Sequence, residues 1–374
     1  MNVGRIVVFA TSASLCIALG YVITDTIART APVNNPTRNL QMPASLRRDS
    51  SGTLAWLDYG QPAAQLIETQ ETPCRLSHAE ASLDGLWVAG QVDCEAGGYV
   101  ELMDVISGKP AQIPERTGSE QYLLGWGGDH TLLLIGFSQV TDAKLILYTP
   151  MSDDLVVPKV PPTIYDAALS PDGRQLVYLT TDGLGHGSKV YLSTMMGEDP
   201  RLVLESDYEL FATPRWSPDG SRIAFVRYAD TSQPFLTGDI VVMDENALIS
   251  QVAGQVDAGH GFAPAWSPDG QIIAFVRREN ATDPAGDLAS GALVSNIALV
   301  TVIDKTTQSV TAFDQQKVGE PHWSADGQAL AFSIDQIGQP DEIWTVDLET
   351  RETLQVAVTT GGSEAVWVDE APDR

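Results

Sequence analysis

The stretch PRWSPDGSRIAFVRY (Pro214–Tyr228) returns as PAWSPDGQIIAFVRR (Pro264–Arg278) and as PHWSADGQALAFSID (Pro321–Asp335). Each copy reads as a hairpin. Trp216 closes one extended run, and the apolar, strand-favouring Ile223–Val226 makes a second. Between them, Pro218 presets φ near −65° for the first central turn position. Asp219 suits the second, where a short carboxylate bonds local backbone, and Gly220 supplies the positive φ that sends the chain back. An aspartate beside a turn glycine reads as turn chemistry in preference to a ring of metal or acid sites.

Weaker copies precede these three. Ala167–Thr180 (AALSPDGRQLVYLT) has Leu169 in place of the tryptophan. Glu80–Gly90 keeps Asp84 and Gly85, and Leu124–Phe137 keeps Trp126 and Asp129. The aligned aspartates Asp84, Asp129, Asp172, Asp219, Asp269 and Asp326 are 45, 43, 47, 50 and 57 residues apart. Most copies are followed by a further extended run ending at an acidic turn, as in DIVVMDENA (Asp239–Ala247) and EIWTVDLETRE (Glu342–Glu352). Each unit thus holds about four short strands. A period in the forties with four strands marks a β-propeller blade, whose two faces are buried only when blades stack. The quoted phrase builds the inner hairpin of each blade.

The phrases WSPDGSRIAF, WSPDGQIIAF and WSADGQALAF, each followed by an acid-ended strand, resemble the TolB-type propeller repeat, a relative of the WD repeat, over roughly residues 50 to 370. The resemblance implies an all-β propeller of four-stranded blades and, for function, a binding or scaffold module in the cell envelope. The α/β domain that precedes the propeller in TolB has no counterpart of that length here. Related blades occur in prolyl-oligopeptidase-like peptidases, but no G-x-S-x-G elbow follows the last copy.

Closure is read from the ends. Trp367 stands where an inner strand begins, and Leu54, Ala55 and Trp56 stand for the second strand of a blade. Pairing them gives seven blades, the last a composite; six blades with an extra terminal strand is the alternative. The organisation expected is a membrane anchor or signal segment over 1–30, a flexible stalk over 31–50 and the propeller over 51–370.

The balance of 22 Lys and Arg against 49 Asp and Glu gives a formal net charge of −27. Phosphate backbones are repelled by such a chain, so nucleic acid is not expected as a partner. Solubility is the simplest use of the charge, with a cationic partner or Ca²⁺ as the further option. Residues 6–23 carry no charge and follow Arg5. At about 1.5 Å per residue such a helix nearly spans a hydrocarbon core of about 30 Å. With no clean cleavage site following, an uncleaved anchor is preferred to a removed signal, and the cation bias puts the propeller outside the cytoplasm; a cleaved segment would leave the protein secreted. In an exported chain, Cys74 and Cys94 are expected to form a disulfide where the first hairpin enters and leaves, tying the composite blade to its neighbour.

The SPDG turns fall on one face of the disc and the long connections on the other. Long loops on a rigid scaffold are where binding usually resides. The expected binding face therefore carries His186, Tyr208, Glu209, Tyr228, His260 and His322. No paired spacing supports a metal centre among these histidines, and no catalytic residue or cofactor is assigned. Asn280 begins an NAT sequon, meaningful only in a eukaryotic secretory pathway. The expected function is protein binding in the cell envelope. The alternatives are a hydrolase or lyase at the axial funnel, acting on a glycan or peptide, and a sensor of polysaccharide or peptidoglycan.

Overall fold

The SPDG turns form as the residue types dictate. Gly220 N–H donates to Ser217 O at 2.8 Å with Gly220 at φ 70°, and Ser217 N–H donates to Arg222 O at 2.8 Å. The aspartates serve these turns. Ser170, Ser217, Ser267 and Ser324 donate their hydroxyls to Asp172, Asp219, Asp269 and Asp326 at 2.6, 2.6, 2.6 and 2.7 Å. Each serine oxygen then accepts the N–H five residues on, as Ser217 does from Arg222 at 3.0 Å. Asp84, Asp129 and the sequon Asn280 lie outside the described residues.

The computed structural model describes residues 44–48, 54–56, 74–82, 85–95, 97–107, 109–111, 113, 120–128, 131–137, 143–279, 293–334, 341–359 and 363–367. Every named element among them is a β-strand. Two short strands come first, β1 (Ala44–Arg48) and β2 (Leu54–Trp56). Four-strand meanders follow. The first is β3 (Cys74–Ala81), β4 (Trp87–Cys94), β5 (Gly97–Asp104) and β6 (Lys109–Ala111). The second is β7 (Glu120–Gly127), β8 (Thr131–Phe137), β9 (Ala143–Thr149) and β10 (Asp154–Val156); the third is β11 (Ile164–Leu169), β12 (Gln175–Thr180), β13 (Ser188–Thr194) and β14 (Arg201–Ser206). Next come β15 (Glu209–Trp216), β16 (Ile223–Ala229), β17 (Thr237–Met243) and β18 (Ile249–Asp257), then β19 (Ala265–Trp266), β20 (Ile272–Arg278), β21 (Ser295–Thr301) and β22 (Thr307–Ser309). One bridge, Val256 to Arg277, joins these two meanders into an eight-stranded sheet. The last meander is β23 (His322–Trp323), β24 (Ala329–Ile334), β25 (Asp341–Asp347) and β26 (Thr353–Thr359), and the chain returns through β27 (Ser363–Val366).

The first strands pack in sequence: β3 on β7, β7 on β11, β11 on β15, β15 on β19 and β19 on β23. Apolar clusters fill the gaps between sheets. Tyr165, Val177 and Leu179 of one sheet meet Phe211, Phe225 and Val241 of the next, and Ala274, Val276 and Ile297 meet Leu330 and Phe332. A fully buried aliphatic or phenyl side chain contributes about 1.5–3 kcal/mol. The tryptophans of the repeat add a directional tie. Each indole N–H donates to the backbone oxygen just before the tryptophan position of the preceding sheet: Trp126 to Glu80, Trp216 to Ala168, Trp266 to Arg215, Trp323 to Ala265 and Trp367 to His322, at 2.8–3.2 Å. Leu169 and Ala81 stand at the two positions of this ladder that lack an indole.

The two ends of the chain share one three-stranded sheet in the order β2-β1-β27. Trp367 and Trp56 therefore meet in one unit, and β27 packs on β24 and β25 on one side and on β3 on the other. The order of its strands differs from expectation. Ala44–Arg48 pairs directly with Ser363–Val366, and Leu54–Trp56 is displaced to third place. Five residues of the segment read as stalk are thus strand. Their run is too short and too polar at Arg47 and Arg48 to announce itself, and of its two partners, β2 and β27, the second lies more than three hundred residues away in sequence.

The disulfide between Cys74 and Cys94 forms, but inside one sheet. The two residues are direct register partners on β3 and β4, so the bond closes the open end of a hairpin and not the gap between neighbouring sheets.

Candidate functional site

Strand alternation sends Trp216 into the gap between sheets and the residue before it, Arg215, toward the axis. The same position in the other copies is Glu80, Gly125, Ala168, Ala265 and His322, and all of these line one axial cavity of about 430 Å³. Pro171 and Pro218 of the SPDG turns also line it. The cavity is therefore a funnel associated with the short-turn face, opposite the long connections. Trp126, Trp216, Trp266, Trp323 and Trp367 are all partly exposed and form its wall.

At the floor, Arg215 crosses the axis. Its Nη2 donates to Glu80 Oε1 at 2.7 Å and lies 3.9 Å from Glu320 Oε1. Its Nη1 donates to Leu124 O at 3.3 Å and Pro214 O at 3.2 Å. His78 stands between the two carboxylates, with Nε2 3.2 Å from Glu80 and Nδ1 3.8 Å from Glu320. Burial disfavours ionisation of Glu80, but Arg215 and His78 outweigh it and hold the carboxyl down at about 2. Gly125 makes room for this carboxylate: a Cβ there would lie 2.8 Å from Glu80 Oε2.

Backbone strain aims the arginine. Thr213, β-branched and buried, adopts φ 49° at a bulge between Ala212 and Arg215. Such a residue in the left-handed region is an outlier that its surroundings must hold. Asp166 holds it, accepting Thr213 N–H at 2.7 Å and Ala167 N–H at 2.8 Å. Burial dominates at Asp166 and pushes its carboxyl up to about 6, against the pull of those two N–H groups and Arg215. Burial also lowers the basicity of His322, whose Nε2 is buried without a hydrogen-bond partner among the described residues.

Of the six residues expected on a binding face, His322 lines the funnel and the other five do not. His186 and Tyr208 are exposed, and Glu209 lies 3.7 Å from Arg227. Tyr228 is half-buried. His260 is buried, stacked between Phe235 and Phe262, with Nδ1 3.0 Å from both oxygens of Asp257. The sequence reading missed Glu80, Arg215 and Glu320. A signal existed in the register: the position before each tryptophan is the one that changes between acidic, basic and small residues while its neighbours repeat.

Among the described residues no helix is long and apolar enough to cross a membrane. The uncharged run 6–23 lies outside those residues. No curated protein sequence matches the chain. Among solved structures, TolB from Acinetobacter baumannii is 14% identical with a TM-score of 0.49, covering 88% of this chain and 66% of that one. An oligogalacturonate lyase in complex with manganese is 12% identical with a TM-score of 0.55, over 85% and 86% of the two chains. A prolyl endopeptidase is 12% identical with a TM-score of 0.53, over 90% of this chain and 50% of that one. At these identities the likeness is one of fold. The model of the TolB beta propeller domain family matches residues 174–363. With its Trp-Ser-Pro-Asp-Gly hairpins, its four-stranded sheets packed first strand to first strand, and that match over half its length, the chain belongs to the TolB beta propeller domain family.

Proposed function

We propose that the chain is an extracytoplasmic scaffold, tethered through residues 6–23, that binds a protein partner in the axial funnel, with the three-stranded sheet as its seventh and closing blade. The observation that carries this reading is the funnel. Five tryptophans fixed by backbone hydrogen bonds surround a cavity of about 430 Å³, a preformed concave site of aromatic wall and few polar groups. The disulfide between Cys74 and Cys94 supports an oxidising compartment. The test is a photo-crosslinking residue in place of Pro218, at the funnel rim, in cells bearing the native envelope. One discrete partner, lost when the crosslinker is moved to the far face at Tyr208, is the expected result. Labelling at Tyr208 but not at position 218 would move the binding surface to the long-loop face.

A second reading, a hydrolase or lyase, rests on His78, Glu80 and Glu320, whose ligand atoms lie within 4.8 Å of one another. Arg215 already occupies the cation position at Glu80, which favours the binding module. Turnover of a glycan or peptide library by the purified protein, abolished by Glu80→Gln, would reverse that preference.

A further inference from the structure

The charged groups of the funnel are unequally engaged, and the difference specifies what it binds. The five indole N–H groups of the wall are all spent on backbone oxygens of neighbouring sheets. What the tryptophans offer a ligand is π surface, which attracts cations, as Arg222 shows by lying 5.0 Å over the Trp266 ring. Pro171 and Pro218 have no N–H to give. Arg215, the one permanent cation of the lining, has Nη2 on Glu80 and Nη1 on two backbone oxygens. Of the two carboxylates, Glu80 is held by Arg215 and His78, and Glu320 is not spent. Glu320 has only a tenth of its side chain exposed, yet accepts no hydrogen bond among the described residues. Its nearest cationic nitrogens, on Arg215 and His78, stay 3.9 and 3.8 Å away. Its carboxylate faces the funnel, so it is the acidic group of the floor left to accept from a ligand.

Resting on the reading of the funnel as a binding site, we infer that it recognises a basic side chain, arginine or lysine, presented by an extended segment of the partner protein. The aliphatic stem lies along the tryptophan wall, and the charged end supplies Glu320 with the donors it lacks. A guanidinium or ammonium has donors and no acceptor, matching a floor whose unengaged charged group is the Glu320 carboxylate. The net charge of −27 draws such a segment in from solution. An acidic segment meets the Glu80 and Glu320 carboxylates at the floor, where Arg215 is already engaged by Glu80 and burial lowers the basicity of His322.

The experiment measures binding of the blocked peptide Gly-Gly-Arg-Gly-Gly to the folded protein by calorimetry. Its isosteric but neutral citrulline counterpart and the corresponding lysine and glutamate peptides are measured beside it. The arginine and lysine peptides bind; citrulline binds at least about tenfold more weakly, as loss of a charged hydrogen bond to a buried carboxylate requires, and glutamate does not bind. Glu320→Gln, checked for an unchanged circular dichroism spectrum, removes the preference for arginine over citrulline. Citrulline binding as tightly as arginine, or no binding of the basic peptides at all, overturns the inference without use of any variant. Equal binding together with a partner crosslinked at position 218 would leave the protein-binding reading standing and remove only the basic side chain. Charge-selective binding without a crosslinked partner would keep the chemistry of the funnel and remove the envelope partner. A basic peptide displaced by millimolar Mn²⁺ or Ca²⁺ from wild type and not from Glu320→Gln would place both cations on the same carboxylate and support the inference.

Discussion

The tryptophan of the repeat is where a single residue couples one sheet to the next. Removing the indole N–H of Trp323 leaves Ala265 O, in a wall only partly exposed, without its 2.9 Å donor. Trp323→Phe is expected to cost about 1–2 kcal/mol, the range for a lost hydrogen bond with a partly desolvated acceptor, read as a lower urea midpoint at unchanged slope. The two carboxylates of the axial floor make opposite predictions with pH. Glu80 is lowered from 4.5 to about 2, so its share of stability is present above pH 4.5 and is lost as pH falls toward 2. Asp166 is raised from 3.8 to about 6, so its share is full below 3.8 and is lost as pH rises through 6. Between pH 4 and 6 the wild type should therefore lose about 2–3 kcal/mol relative to Asp166→Asn, at about 1.4 kcal/mol per unit. Urea midpoints of both proteins at pH 4, 5 and 7 check this. A constant difference across that range would mean that Asp166 stays ionised at pH 5.

At the level of the element, the hairpin was the most legible feature of the sequence, because its turn uses residue types with few other reasons to stand in that order. Pro218, Asp219 and Gly220 each perform the role their chemistry suggests, and the aspartates are turn acceptors. The pairing of Cys74 with Cys94 was legible too, but not its geometry. The spacing of the repeat places Cys94 where the second strand exits, whereas β4 runs on to it and sets it opposite Cys74. The bond then closes a loop with a sequence separation of 20. Replacing both cysteines by serine should cost about 3 kcal/mol by the chain-entropy argument for a loop of this size. Because β3 carries His78 and Glu80, the same variant should weaken any ligand of the funnel. A urea midpoint unchanged by dithiothreitol would show that the hairpin holds its end without the bond. Strand β1 was not legible: ASLRR alternates over only four residues and carries a single large apolar side chain, and its place between β2 and β27 is fixed by closure.

The whole ring was announced by its period, but what lies on its axis was not. Arg215 and Glu80 are 135 residues apart, and they meet because the ring brings the inner strands of distant sheets onto one line. No local pattern encodes that convergence, so the charges at 80, 215 and 320 read in sequence as ordinary surface residues. The same dependence on closure gives the last prediction. Strand β27 is the inner member of the terminal sheet, held by β1 in register from Ala44–Val366 to Arg47–Ser363. Beside it Trp367 packs on Ala331 and Ile343 and donates to His322 O at 2.8 Å. Deleting residues 363–374 takes away the strand, the indole and the wall of the funnel beside His322. The loss of the partly exposed tryptophan and its hydrogen bond is worth about 2–3 kcal/mol, and the bared edge of β1 is a template for pairing with another chain. The truncated protein should melt at a lower temperature and associate, seen as a concentration-dependent shift in light scattering. Trp367→Ala, which keeps the strand, should lower the melting temperature without association. Truncated protein that melts like the full chain and stays monomeric would show that the propeller closes without β27.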